Sequence, residues 1–170
     1  HKASELFGIA NVVFFSPEDL NIIKNGPAER RRFVDLELCQ LNKLYVHSLI
    51  HYNKTLVQRN KLLKELAFRP EYEPTLDVWD QQLVTYGKQV MEYRKDFMGQ
   101  LNEIIRDIHL RLSGEKENLN ICYDPNVLPE EFESALKRSR EQDIRQKTTL
   151  CGPHRDDISF IVNGIDIRRF

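Results

Sequence analysis

No stretch of this 170-residue chain approaches 18 consecutive apolar residues, so it offers neither a membrane span nor a secretory leader. Cysteine is scarce: Cys39, Cys122 and Cys151 show no metal-ligand spacing and cannot all pair, which fits a reducing, cytoplasmic setting. An excess of one charge is also missing. The 25 Lys and Arg stand against 26 Asp and Glu, a net charge of -1, so any contact with nucleic acid must use local patches. The phosphate loop G-x-x-x-x-G-K-[ST] occurs nowhere, and without it no ATP hydrolysis and no bound cofactor are expected of this chain. An initiator Met is absent too. The sequence opens on His1 and stops on Phe170 directly after a strand-like run, as a piece of something longer would. What is present, 41% hydrophobic and 30% charged residues, suits one globular domain.

Two long amphipathic stretches dominate, Ala28 to Ala67 and Thr75 to Leu112. In the second, apolar residues fall at Leu76, Trp79, Leu83, Tyr86, Val90, Tyr93, Phe97, Leu101, Ile104, Ile108 and Leu112, always three or four apart, which predicts one stripe along a helix face. The first repeats this through Val34, Leu38, Leu41, Tyr45, Leu49, Tyr52, Leu56, Leu63 and Leu66, with a polar interruption at Gln58-Arg59-Asn60 that faces inward by phase. Helices of that length span roughly 55 to 60 Å and bury their stripes only against each other. Pro70 and Pro74 stop the helix between them. The expectation is a mainly α fold, a long antiparallel helical hairpin forming an arm; two members of a compact bundle are the plainer alternative.

Elsewhere, Asn11 to Phe15 reads as a buried strand, and Ser16-Pro17-Glu18-Asp19 as a capped helix start. Pro27 opens the first arm helix. Arg30, Arg31 and Arg32 then occupy its first turn, where positive charge opposes the helix dipole. They suit phosphate, hence DNA, or else pair with Glu18, Asp19, Asp35 and Glu37. After Ser113-Gly114, Leu119 to Tyr123 alternates as a strand, and Pro129 opens a shorter charged helix to about Lys147. Asn163-Gly164 between Ile158–Val162 and Ile165–Ile167 predicts a type I′ hairpin, with Val162 facing Ile165 and Phe160 facing Ile167.

Before that hairpin stands Gly152-Pro153-His154-Arg155-Asp156-Asp157. One His and two adjacent carboxylates make a poor metal site, and no nucleophile stands beside them for acid–base catalysis. The favoured assignment gives His154 and Arg155 to phosphate or nucleotide, while Asp156 and Asp157 hold the loop through its own backbone. No catalytic and no metal-binding residue is assigned.

FFSPEDL, KNGPAERRRFVD, TLVQRNKLLKEL and TTLCGPHRDDISFIVNG run in this order over almost the whole chain and resemble the RecF family of bacterial recombination mediators. The resemblance implies a segment of an ABC/SMC-type ATPase head: residues 1–26 the edge of a head lobe, 27–112 the helical arm inserted between its halves, and 113–170 a strand, a charged helix and a β-hairpin returning to the head. It further implies that the whole protein binds ATP and Mg, dimerises with ATP and binds DNA at single-strand/duplex junctions. By the same resemblance it acts with RecR and RecO to load recombinase at gaps in repair, replication and the SOS response. Two departures stand out. No glutamine marks the corner at Phe14–Glu18, and Asn25 replaces a glycine frequent in the family. A helical protein-binding adaptor and a hydrolase centred on the Gly152–Asp157 loop are the competing classes.

Overall fold

The structure, a computed structural model, describes residues 21–169. The expected strand at Asn11–Phe15 and the Ser16–Asp19 cap lie outside the described residues. In chain order the helices are α1 (Asn21–Lys24), α2 (Pro27–Leu41), α3 (Lys43–Glu65), α4 (Leu76–Leu112) and α5 (Phe132–Gln146), and the strands are β1 (Leu119–Asp124), β2 (Asp157–Val162) and β3 (Ile165–Asp166). Short 3-10 turns occupy Pro70–Thr75, Pro129–Glu131, Pro153–Arg155 and Ile167–Arg169. The chain divides into two compact units: His1–Lys43, Tyr93–Asp124 and Asp156–Phe170 form one, Leu44–Glu92 and Pro125–Arg155 the other.

The first amphipathic stretch is not one helix. It breaks at Asn42, whose backbone is extended (φ -141°, ψ 109°) while its N–H still donates to the Leu38 carbonyl at 2.8 Å. Asn is a poor helix former because its side chain competes for backbone groups.

In the second unit α3 and the first part of α4 run antiparallel. Ser48 Oγ donates to Gln89 Oε1 at 2.7 Å, and Arg59 Nε to Asp80 Oδ1 at 2.6 Å. The buried line on α3 is Tyr45, Ser48, Tyr52, Thr55, Arg59 and Leu62, a more polar face than apolar periodicity selects. On α4 it passes through Leu76, Asp80, Leu83 and Gly87 to Val90. Gly87 is required by proximity: a Cβ there would lie 2.5 Å from Phe132 Cε1 and 3.1 Å from Tyr52 Cε2. Near the Pro70–Thr75 turn, Leu62, Leu63, Leu66 and Leu76 form an apolar cluster, with Trp79 and Ile144 of α5 against it.

In the first unit the sheet order is β1-β2-β3, all antiparallel, with Leu119 opposite Val162 and Tyr123 opposite Ile158. The Asn163-Gly164 turn has φ of 48° and 82°, the two positive values of a type I′ hairpin, and Val162 pairs with Ile165. Ile167 does not face Phe160. The ladder ends at Asp166, where the carboxylate accepts from Arg168 N at 3.0 Å and draws the chain into a 3-10 turn. Asn102 of α4 accepts from Ile121 N at 2.6 Å, tying the helix to β1. The apolar stripe of α4 is buried only to Met98; Ile104, Ile108 and Leu112 are exposed, Leu112 at 82%.

Candidate functional site

The Gly152–Asp157 segment contributes to both units, Gly152–Arg155 to the second and Asp156–Asp157 to the first. Its fixation in the second unit begins with Arg59, a wholly buried guanidinium on α3. Nη1 of Arg59 donates to Asp143 Oδ2 at 2.7 Å and to Thr149 Oγ1 at 2.8 Å. Asn60 Oδ1 accepts from Thr149 N and Oγ1, and Asp143 Oδ1 accepts from Leu150 N. Burial pushes the Asp143 carboxyl above its ordinary range even against Arg59. The polar interruption at residues 58–60 thus serves as the clamp for the strand-entry loop, with Gln58 alone turned to solvent.

Gly152 sits at φ +126°, in the region that favours glycine, and a Cβ there would lie 2.7 Å from Tyr52 Oη and 2.9 Å from Phe132 Cζ. That close approach brings His154 onto Tyr52. Nε2 lies 3.1 Å from the Thr149 carbonyl, which only accepts, so Nε2 donates; Tyr52 Oη closes on Nδ1 at 2.6 Å. Both ring nitrogens are engaged within the protein. Arg155, by contrast, is exposed: its backbone N–H donates to the Gly152 carbonyl at 2.9 Å, while its guanidinium makes a long 3.4 Å bond to the Thr149 carbonyl.

In the first unit Asp156 is fully buried. Its Oδ2 accepts from Arg94 Nη1 at 3.1 Å and, closely, from the Tyr123 hydroxyl; its carbonyl accepts from Arg31 Nη1 at 2.6 Å. Arg94 also holds Asp35 through Nε and Nη2. Burial, together with the Asp156 charge, raises the Tyr123 phenol, which stays protonated as a donor. Asp157 Oδ1 accepts from Arg30 Nε at 2.7 Å and from Ile158 N at 2.8 Å, while Oδ2 accepts from Arg168 Nη1 at 2.6 Å. Burial alone would raise this carboxyl, but the bonds from Arg30 and Ile158 hold it below the usual range.

The arginine run therefore divides in three. Arg30 is buried, its charge matched by Asp157 and its Nη1 donating to the Asn25 carbonyl at 2.6 Å. Arg31 is half-buried, and burial with Arg94 beside it lowers its pKa. Arg32 points outward, 72% exposed and 4.0 Å from Glu29. Of the acids expected to pair with the run, Asp35 is taken by Arg94, and Glu18 and Asp19 lie outside the described residues. The aspartates also differ from expectation: Asp157 to Ile158 N is a local backbone bond, whereas the main partners of both are arginines and a tyrosine on other elements. Tyr52, Arg94 and Tyr123 were invisible as site residues because a helix stripe or a strand accounts for each without the loop.

No family model matches the chain. Curated relatives do. A DNA replication and repair protein RecF from Agathobacter rectalis is 59% identical over 99% of this chain, and one from Lachnoclostridium phytofermentans is 57% identical over the same share. A Clostridium botulinum RecF is 40% identical, again over 99%. The chain belongs to the RecF family. It spans about half the length of the curated relatives it matches, 47% of each. Among solved structures, RecF-ATP, described as a recombination mediator in the RecFOR pathway, superimposes with a TM-score of 0.91 at 32% identity, covering 98% of this chain and 47% of that one. A second structure of the same mediator, RecF-ATPrS, gives 0.92. The RecF likeness thus takes in nearly the whole chain, both units included.

Proposed function

We propose that this chain is the helical insert of a RecF-type, ABC/SMC-like ATPase head, acting in DNA repair, replication and recombination. The observation that carries the reading is the likeness to RecF-ATP over 98% of the chain. On this reading residues 27–112 form the arm, 1–26 and 113–170 are its roots in the head, and the loop Gly152–Asp157 carries the return to the head. The whole protein binds ATP with Mg, dimerises through its heads and meets DNA at single-strand/duplex junctions. With RecO and RecR it loads recombinase, in the cytoplasm, during repair and the SOS response. Arg32, and Arg31 beside it, are the members of the arginine run suited to DNA. Arg155 is the loop cation suited to phosphate, with His154 setting its position through Tyr52 and Thr149.

The chain itself, lacking the phosphate loop, turns over no ATP. Millimolar Mg-ATP should leave its melting temperature unchanged, and DNA should bind with an affinity that falls steeply with salt. A rise of several degrees with Mg-ATP would reveal a complete nucleotide site and overturn the first half. Absence of DNA binding at low salt would overturn the second.

A further inference from the structure

Helix α3 contains no carboxylate between Lys43 and Lys64, and residues 81–91 of α4, within the antiparallel partner, contain none either. Along that acid-free stretch of α3, His47, His51, Lys54, Gln58 and Lys61 recur at spacings of four, three, four and three, which places all five on one helix face. Apart from half-buried His51 they are exposed, and this face is turned away from the buried line through Tyr52, Thr55 and Arg59. The upper end of the face is ordered: the His47 and His51 rings lie 4.3 Å apart, and His51 stacks on Tyr86 of α4 at 4.9 Å with planes 22° apart. Lys61 has a carboxylate within reach, Glu65 at 3.9 Å, with both partners largely exposed. Such an exposed pair contributes little and is readily exchanged for another anion.

We propose that this outward face of α3 is a contact for the phosphate backbone of DNA, with Lys54 and Lys61 neutralising phosphates and the neighbouring His47 and His51 imidazoles and Gln58 donating hydrogen bonds between them. Charge complementarity carries the assignment: the whole chain is near neutral, yet this face concentrates cations and donors and holds no acid of its own before Glu65, at its far end. The face runs about 21 Å along the helix at 1.5 Å per residue, matching about six base pairs at 3.4 Å each. It adds a site to the DNA-binding reading above and rests on it.

The test is a salt series of fluorescent duplex titrations with the wild-type protein, the double variant Lys54→Gln/Lys61→Gln, and Lys137→Gln. Lys137 is an exposed α5 lysine paired with Glu133 at 2.7 Å and serves as a matched control within the same unit. Each phosphate contact adds about 0.9 to the slope of log affinity against log salt. The double variant should lose about 1.8 in slope and bind roughly 30-fold more weakly at 0.15 M salt, with its melting temperature unchanged and the control like wild type. An unchanged slope in the double variant, while wild type binds DNA, overturns this face and leaves the DNA reading standing. Equal losses in the control would also overturn it, as general charge. No binding by wild type overturns both. Poly-glutamate binding as tightly as DNA, and lost in the double variant, would assign the face to an acidic protein instead.

Discussion

Asp157 accepts from two guanidiniums and a backbone N–H, and it owes its depressed pKa to them. A carboxyl whose folded-state pKa lies below its unfolded value stabilises the fold above the ordinary carboxylate range and loses that contribution as pH falls through the folded value. The sensitive window for this group is therefore below about pH 4. Asp157→Asn, which keeps the shape and removes the charge, should melt below wild type at pH 7, and the gap should narrow as pH falls toward 3. Melting curves at half-unit steps from pH 7 to pH 3 check this; a constant gap across the range would mean that the Arg30 and Arg168 pairs add nothing through charge. His154 holds its loop differently, by direction. A carbonyl on one ring nitrogen and a phenol on the other fix both the ring's orientation and its donor pattern.

At the scale of elements, Gly87 of α4 leaves no room for a Cβ beside Phe132 of α5. Gly87→Ala should destabilise by about 1–3 kcal/mol through overpacking. Phe132→Leu should be destabilising on its own, yet in the double variant it should recover part of the Gly87→Ala loss. Chemical denaturation of the two singles and the double measures that coupling, and strict additivity would rule out the collision as the cause. This glycine also shows why the helix pairing was legible and its phase was not. Apolar spacing at three and four residues located both long stretches, and the two prolines placed the turn between them. The buried line, however, runs through Ser48, Thr55, Arg59, Asp80 and Gly87, residues that a search for apolar periodicity passes over. The hairpin at Asn163-Gly164 was readable because its turn chemistry is local. The break at Asn42 was obscured by Leu41, which carried the stripe on to Tyr45 in sequence while standing exposed in the fold. For the candidate site the loop itself was visible as an unusual cluster. Its partners were not, since Arg30 and Asp157 are 127 positions apart and Arg94 and Asp156 62.

At the scale of the whole molecule, each unit is assembled from separated stretches, and the chain passes between them after Lys43, Glu92, Asp124 and Arg155. Neither unit is a contiguous segment that truncation can remove. Interrupted connectivity of this kind dictates how the protein answers mechanical load. Handles attached at Lys24 and Ile167 both grip the first unit, and the tension between them is borne across α2 and β2, where Arg30 meets Asp157. The second unit, strung on inner loops of the path, feels no pull until the first has opened. An optical trap should accordingly record two successive extensions, with the Arg30→Gln variant lowering the force of the first and leaving the second untouched. A single rip, or a change confined to the second, would contradict that order. The topology makes the second unit a slack-protected body: force reaches it last, whichever end of the first unit is drawn.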